Sequence, residues 1–216
     1  MDIRAQLDAV DRSATTADRD GRAMRVQSVA QTFAATIHDV WDALTSAERL
    51  PRWFLPVTGD LRLGGRYQLE GNASGTITSC DVPNAFSATW EFGGGISWVN
   101  VTLTAIDAGH TRLELEHLAP VSDVSDEMWD RIGPAATGIG WDQTLLGLSL
   151  HLTTGEVKPE NAAEWLAGDE GLAFMRGSAD RWGAVQAADG ADPERAKAAA
   201  DATYGMYTGA APSPWK

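Results

Sequence analysis

The stretch from Phe86 to Phe92 constrains the fold most. Phe86, Ala88, Trp90 and Phe92 alternate without a break with Ser87, Thr89 and Glu91 until Gly93-Gly94-Gly95, the period of two that an extended strand with one covered face produces. The glycines turn the chain, after which Val99, Val101 and Leu103 face one way and Trp98, Asn100 and Thr102 the other. Asp107-Ala108-Gly109-His110 turns it again, and Leu113, Leu115 and His117 then alternate with Arg112, Glu114 and Glu116 up to Pro120. Consecutive strands joined by turns this short pair antiparallel. A sheet built this way has one apolar face that needs a cover.

The cover is legible downstream. Trp141, Leu145, Leu148 and Leu152 recur at i, i+4, i+7 and i+11, which predicts a long helix over 139 to 152 with one apolar face. Upstream, Ile37, Val40, Trp41 and Leu44 fall on one helical stripe. Ser46 follows as the cap of a second short helix, and Leu50 before Pro51 favours a break there. Gly64-Gly65 allows a reversal into a half-buried strand in which Tyr67 and Leu69 alternate with Arg66, Gln68 and Glu70. The irregular phasing of Ile77 and Cys80 predicts a bulge in the next strand. A first strand starts near Met24, with weak contrast between its faces.

Residues 1–23 lack periodicity and read as a flexible leader, and residues 24–155 as the main domain. Residues 156–216 read as an alanine-rich, acidic helical extension, with segments at 161 to 166, 172 to 188 and 193 to 207 and Asp192-Pro193 as a helix start. Trp165, Phe174, Met175 and Trp182 are too many large apolar groups for a free appendage, so the extension should dock on the domain, or serve as a homodimer or protein-partner contact.

Charge and composition exclude several functions. A formal net charge of -13 disfavours phosphate backbones and anionic lipid, and no basic patch offsets it, so neither nucleic acid nor a membrane is an expected partner. No apolar run reaches the roughly 18 residues of a membrane span, and the first 25 residues lack an apolar signal core, which points to the cytoplasm. One cysteine and four scattered histidines give no metal spacing. Strand alternation sends Glu114 and Glu116 away from His117, so that cluster cannot converge on an ion. No phosphate loop or nucleophile elbow is present, and no cofactor is expected.

The order of elements, with Val40-Trp41-Asp42-Ala43-Leu44-Thr45, Trp53-Phe54, Gly59-Asp60, Gly64-Gly65, Trp90, Gly109 to Leu115 with His117, and Gly140-Trp141, resembles the START-like (SRPBCC) superfamily. Within it, the chain is similar to bacterial homologues of the C-terminal domain of the heat-shock-protein-90 ATPase activator, over roughly residues 25 to 153. The resemblance implies an α+β helix-grip fold (START-like, Bet v 1-like), an antiparallel sheet wrapped around a long C-terminal helix, with the helical tail added. It also implies an apolar cavity between sheet and helix for a small hydrophobic ligand. The eukaryotic activator carries a further N-terminal module that the 24 or so residues before the first strand are too few to supply.

The expected lining is Trp53, Phe54, Tyr67, Trp90, Phe92, Val101, Leu115, His117, Trp141 and Leu145. Tyr67 and His117 are its polar members, one needing a partner for its hydroxyl and the other the single titratable group on the inward side of a strand. A binder of small hydrophobic or aromatic molecules is the leading expectation, without catalytic residues. The alternatives are a polyketide cyclase or hydratase-like enzyme with His117 as acid or base, and a protein-interaction or co-chaperone-like module.

Overall fold

The computed structural model of the chain describes residues 2–155, 157–158 and 162–211. In chain order these form α1 (Ile3–Asp8), β1 (Asp11–Arg19), β2 (Arg22–Phe33), α2 (Ile37–Thr45), α3 (Leu50–Trp53), β3 (Val57–Gly59), β4 (Arg66–Leu69), β5 (Ser74–Asp81), β6 (Ala85–Phe92), β7 (Gly95–Ala105) and β8 (Thr111–Pro120). Then follow α4 (Asp126–Ile132), the long α5 (Ala135–Thr154), α6 (Ala162–Ala167), α7 (Asp169–Ala188) and α8 (Pro193–Tyr207). The eight strands make one antiparallel sheet in the order β1-β2-β8-β7-β6-β5-β4-β3. The class is the expected α+β, helix-grip type.

Two compact units divide the chain. One comprises Ser28–Ala119 and Thr144–Lys158, which is most of the sheet with α2, α3 and the second half of α5. The other comprises Met1–Gln27, Pro120–Gln143 and Pro159–Lys216. The boundaries therefore fall inside β2 and inside α5, not at the ends of the expected domain.

In the sheet unit, local chemistry sets the elements. Thr36 caps α2 by accepting from Asp39 N at 3.2 Å, and Ser46 accepts from Glu48 N and Arg49 N at 3.3 Å ahead of α3. Pro51 sits in the first turn of α3, where its missing N–H costs nothing, rather than breaking the chain after Leu50. The expected bulge is present as a register shift between Ile77 and Ser79 on β5. A side chain at Gly147 would put its Cβ 2.7 Å from Trp53 O, so a glycine is what lets α5 approach the end of α3. Arg49 joins the same elements, donating to His151 Nε2 on α5 at 3.3 Å and to Asp39 Oδ1 and Asp42 Oδ2 on α2 at 2.6 and 3.0 Å.

The other unit corrects the reading of the N-terminal end. Residues expected as a loose leader hold α1 and β1. Of β1 only Ala14 is buried, so a regular strand left no apolar period to read. The extension does dock: α7 lies against α1, β1, α6 and α8, and α8 against α4. Phe174, Met175 and Trp182 are buried, and Asp192 caps α8 by accepting from Glu194 N and Arg195 N. The weak facial contrast of β2 also has a cause. Gln27 is buried and bonded, donating to Pro134 O and accepting from Thr137 Oγ1, so a polar residue can sit where periodicity would demand an apolar one.

Candidate functional site

Directly opposed residues in antiparallel strands share a face, and the register assembles three rows on the inner side of the sheet. Ile77, Ala88, Val99 and His117 form one row across β5, β6, β7 and β8. Phe86, Val101 and Leu115 form the next, and Trp90 with Ser97 a third. The charged residues of these strands alternate onto the opposite side, where Arg66 and Glu91 pair at 2.8 Å.

This face is more fully covered at one side than at the other. Val99, Val101, Leu115 and His117 are buried. Toward β4, β5 and β6 the buried trio Tyr67, Leu69 and Ala88 is packed by Phe54, Leu55, Val57, Leu61, Ile77 and Trp90, all of which stay only partly covered. Trp53 and Phe54 stack with ring centroids 5.5 Å apart, and Trp53 Nε1 donates to Ala43 O at 3.0 Å, which fixes the ring at the end of α3. Trp41 on α2 meets Phe86 edge-on at 6.0 Å.

The polar groups on this face are satisfied internally. Tyr67 Oη donates to Thr89 O at 2.7 Å, and burial pushes its hydroxyl up to about 12. Ser97 Oγ donates to Trp90 O at 3.1 Å and lies 2.8 Å from His117 Nε2. His117 Nε2 and Ser97 Oγ thus satisfy one another across β7 and β8. The ring of Trp90 stands edge-on to His117 at 6.5 Å. Burial drives His117 down from 6.5 to about 4, so the ring is neutral near pH 7.

That depression carries a testable sign. Above pH 6.5 the ring is neutral whether the chain is folded or not; as pH falls from 6.5 toward 4 the unfolded chain takes up a proton that the folded chain refuses. His117 should therefore remove about 3 kcal/mol of stability across that window. His117→Leu should flatten this part of the stability profile in urea titrations at stepped pH, and an unchanged slope would mean that the ring is solvated.

The expected lining residues thus divide. Trp53, Phe54, Tyr67, Trp90, Val101, Leu115 and His117 come together on or beside the inner face, and Leu145, on the second half of α5, is buried in the same unit. Phe92 departs from expectation: it ends β6 beside the glycine turn and is 59% exposed, because nothing follows it on the strand to enclose the ring. Trp141 is buried but belongs to the other unit. Ser97, Leu55, Val57, Leu61 and Ile77 were missed. Ser97 had a signal, being in phase with Val99 and Val101, whereas the two leucines sit in irregular chain with no period.

A second polar centre, also missed, occupies the other unit. Asp142 on α5 is 1% exposed. Arg12 Nε on β1 donates to both of its oxygens at 3.1 Å, Ser178 Oγ on α7 donates to Oδ2 at 2.5 Å, and Trp182 Nε1 donates to Oδ2 at 3.1 Å. Arg12 Nη2 lies 2.9 Å from Oδ1 without hydrogen-bond alignment, so its contribution is coulombic. Arg12 Nη1 is held by Leu7 O and Val10 O at 3.0 and 2.8 Å. Apart from Arg12 Nη2, the donors around Asp142 are spent inside the protein, which makes this centre a clamp between the N-terminal strand, α5 and α7.

Among the described residues no group of histidine, cysteine, aspartate or glutamate side chains has metal-binding geometry, and no helix is long and apolar enough to cross a membrane. An antiparallel sheet with a long helix and an apolar, partly open inner face defines a helix-grip protein of START-like type. The model of the family described as "Activator of Hsp90 ATPase homolog 1-like protein" matches residues 34–153, and the chain belongs to that family.

Among solved structures the chain is similar to CalU16 from Micromonospora echinospora. Against its crystal structure the identity is 28% and the TM-score 0.64, covering 82% of this chain and 98% of that one; against its solution structure the values are 29%, 0.66, 84% and 97%. PFC0360w, an HSP90 activator from Plasmodium falciparum, shares the fold at 22% identity and a TM-score of 0.50, covering 61% of this chain and 96% of that one. No curated protein matches. The CalU16 match covers more of this chain than the family region at 34–153 does.

Proposed function

We propose that the protein binds a small apolar or aromatic molecule on the inner face of the sheet, at its β4 to β6 side. The carrying observation is the ring of Phe54, Leu55, Val57, Leu61, Ile77 and Trp90, left partly uncovered around Tyr67, Leu69 and Ala88. A face that served only as core would gain about 25 cal/mol for each further Å² of apolar surface enclosed, so leaving six large apolar side chains incompletely covered is the mark of a surface that a ligand completes. Membership of a START-like family supports the same reading.

An acid-base enzyme on this face is the weaker reading. Its candidate group, His117, is held neutral near pH 7 by burial and is engaged with Ser97, so the imidazolium an acid would need is disfavoured, and a pKa near 4 makes it a weak base. A co-chaperone-like role is suggested by the family description and by the fold shared with the Plasmodium HSP90 activator; pull-down of an Hsp90-type chaperone with measured ATPase stimulation is its test.

Native mass spectrometry of freshly purified protein should show a co-purified small molecule, and titration with the neutral dye Nile red should give saturable fluorescence. Trp90→Ala should weaken dye binding by about tenfold or more, the loss of one large aromatic contact, with the melting temperature changed by only a few degrees. Saturable binding unaffected by Trp90→Ala would move the site elsewhere. His117→Ala should shift affinity by no more than about tenfold, the worth of one neutral hydrogen bond. A turnover loss of a hundredfold or more with affinity intact would instead establish an enzyme.

A further inference from the structure

We infer, resting on the binding site just proposed, that the inner face selects uncharged ligands and rejects carboxylates, so that its ligand is a neutral hydrocarbon or aromatic molecule bearing at most hydroxyl groups. The polar groups on or beside the face are already committed to one another: Tyr67 Oη–H donates to Thr89 O, and Ser97 Oγ lies between Trp90 O and His117 Nε2 within hydrogen-bond distance of both. A carboxylate brought there would find these donors turned away from it, and recruiting any one of them would orphan the acceptor it now serves.

No cation is free on the face for a buried carboxylate: the ammonium beside it, on the exposed Lys158, already donates to Phe54 O. Among the described residues, no lysine or arginine occupies the cross-strand rows built from Ile77, Phe86 and Trp90, because strand alternation sends Arg66 and Arg112 to the other side. The one titratable base in those rows is a neutral ring. An anion placed against half-buried aromatic and aliphatic groups would lose its hydration without compensation, which costs far more than the burial of its carbon skeleton returns. A hydroxyl fares better: as a donor it can use the remaining lone pairs of Tyr67 Oη and Ser97 Oγ.

The test displaces Nile red from the full-length protein with three molecules of one skeleton, 2-naphthol, methyl 2-naphthoate and 2-naphthoate, at pH 7.5. The two neutral compounds should displace the dye with 2-naphthoate at least about tenfold weaker. The same ranking should persist in about 0.5 M sodium chloride, which screens the protein's overall negative charge beyond roughly 4 Å. Equal displacement by all three overturns the selection while leaving the site in place. A ranking that collapses in salt also overturns it, because the rejection would then come from the net charge of -13 and not from the face. Absence of saturable Nile red binding, with no displacement by any compound, overturns the binding site itself and this inference with it. In the binding-competent protein, Leu61→Arg, which adds a cation to the half-covered rim, should recover at least half of the lost 2-naphthoate affinity on a logarithmic scale; no recovery at unchanged 2-naphthol affinity would count against the missing cation as the cause.

Discussion

Asp142→Asn should lower the stability of the protein by about 3 to 5 kcal/mol, the cost of leaving a buried charge without its partner. The substitution preserves shape and removes only charge and one acceptor, yet the new amide nitrogen must face a donor whichever way it turns, because Arg12 donates to both carboxylate oxygens while Ser178 and Trp182 share Oδ2. Arg12, with a side chain only 5% exposed, would keep its charge in the interior. Urea denaturation followed by tryptophan fluorescence measures the loss directly. Because the clamp lies within the unit formed by both chain ends and the first half of α5, limited proteolysis should cut residues 3 to 19 and α7 faster in the variant. Replacing Arg12 and Asp142 together, as Arg12→Met and Asp142→Leu, should recover only the part due to the unpaired charge, because Ser178 Oγ, Trp182 Nε1, Leu7 O and Val10 O then lose their partners. A denaturation midpoint unchanged in Asp142→Asn would mean that the pair is solvated.

The second large effect lies in the sheet unit. Leu145→Ala should cost about 2 to 5 kcal/mol, the transfer of the lost carbons plus the cavity they leave. Leu145 is 2% exposed on α5, whereas Leu150 on the same helix is 40% exposed. Leu150→Ala is therefore the internal control, with an expected change within about 0.5 kcal/mol. Equal midpoints for the two variants would place the covered side of α5 elsewhere than the i, i+4, i+7 pattern of Trp141, Leu145 and Leu148.

Most of the candidate site was legible where strands are regular. The side of the sheet taken by Tyr67, Val101, Leu115 and His117 followed from period alone, because a strand that exposes one side must alternate, and cross-strand register then gathers the inward residues automatically. Phe92 followed the same alternation and still ended exposed, since period assigns a side but not where along the sheet the cover stops. Leu55 and Leu61 come from irregular chain, which has no period to betray a buried side. Both belong to the ring that supports the proposed function.

The amino-acid order by itself determined the sequence of elements from β4 through β8, the long helix, and the N-terminal cap of α8, all of which rest on patterns between residues near in the chain, and its motifs carried the resemblance that implied the class of fold. Tertiary structure alone decided three things. It divided the molecule inside β2 and α5, it gave the unpatterned residues 3 to 19 a helix and a strand, and it turned Asp142, polar and off the apolar stripe, into a fully buried centre. Arg12 and Asp142 are 130 positions apart and Asp142 and Ser178 are 36. The physical reason is the same in each case: local periodicity reports the burial of apolar surface, whereas a buried polar group is stable only through partners that the folded chain supplies from a distance.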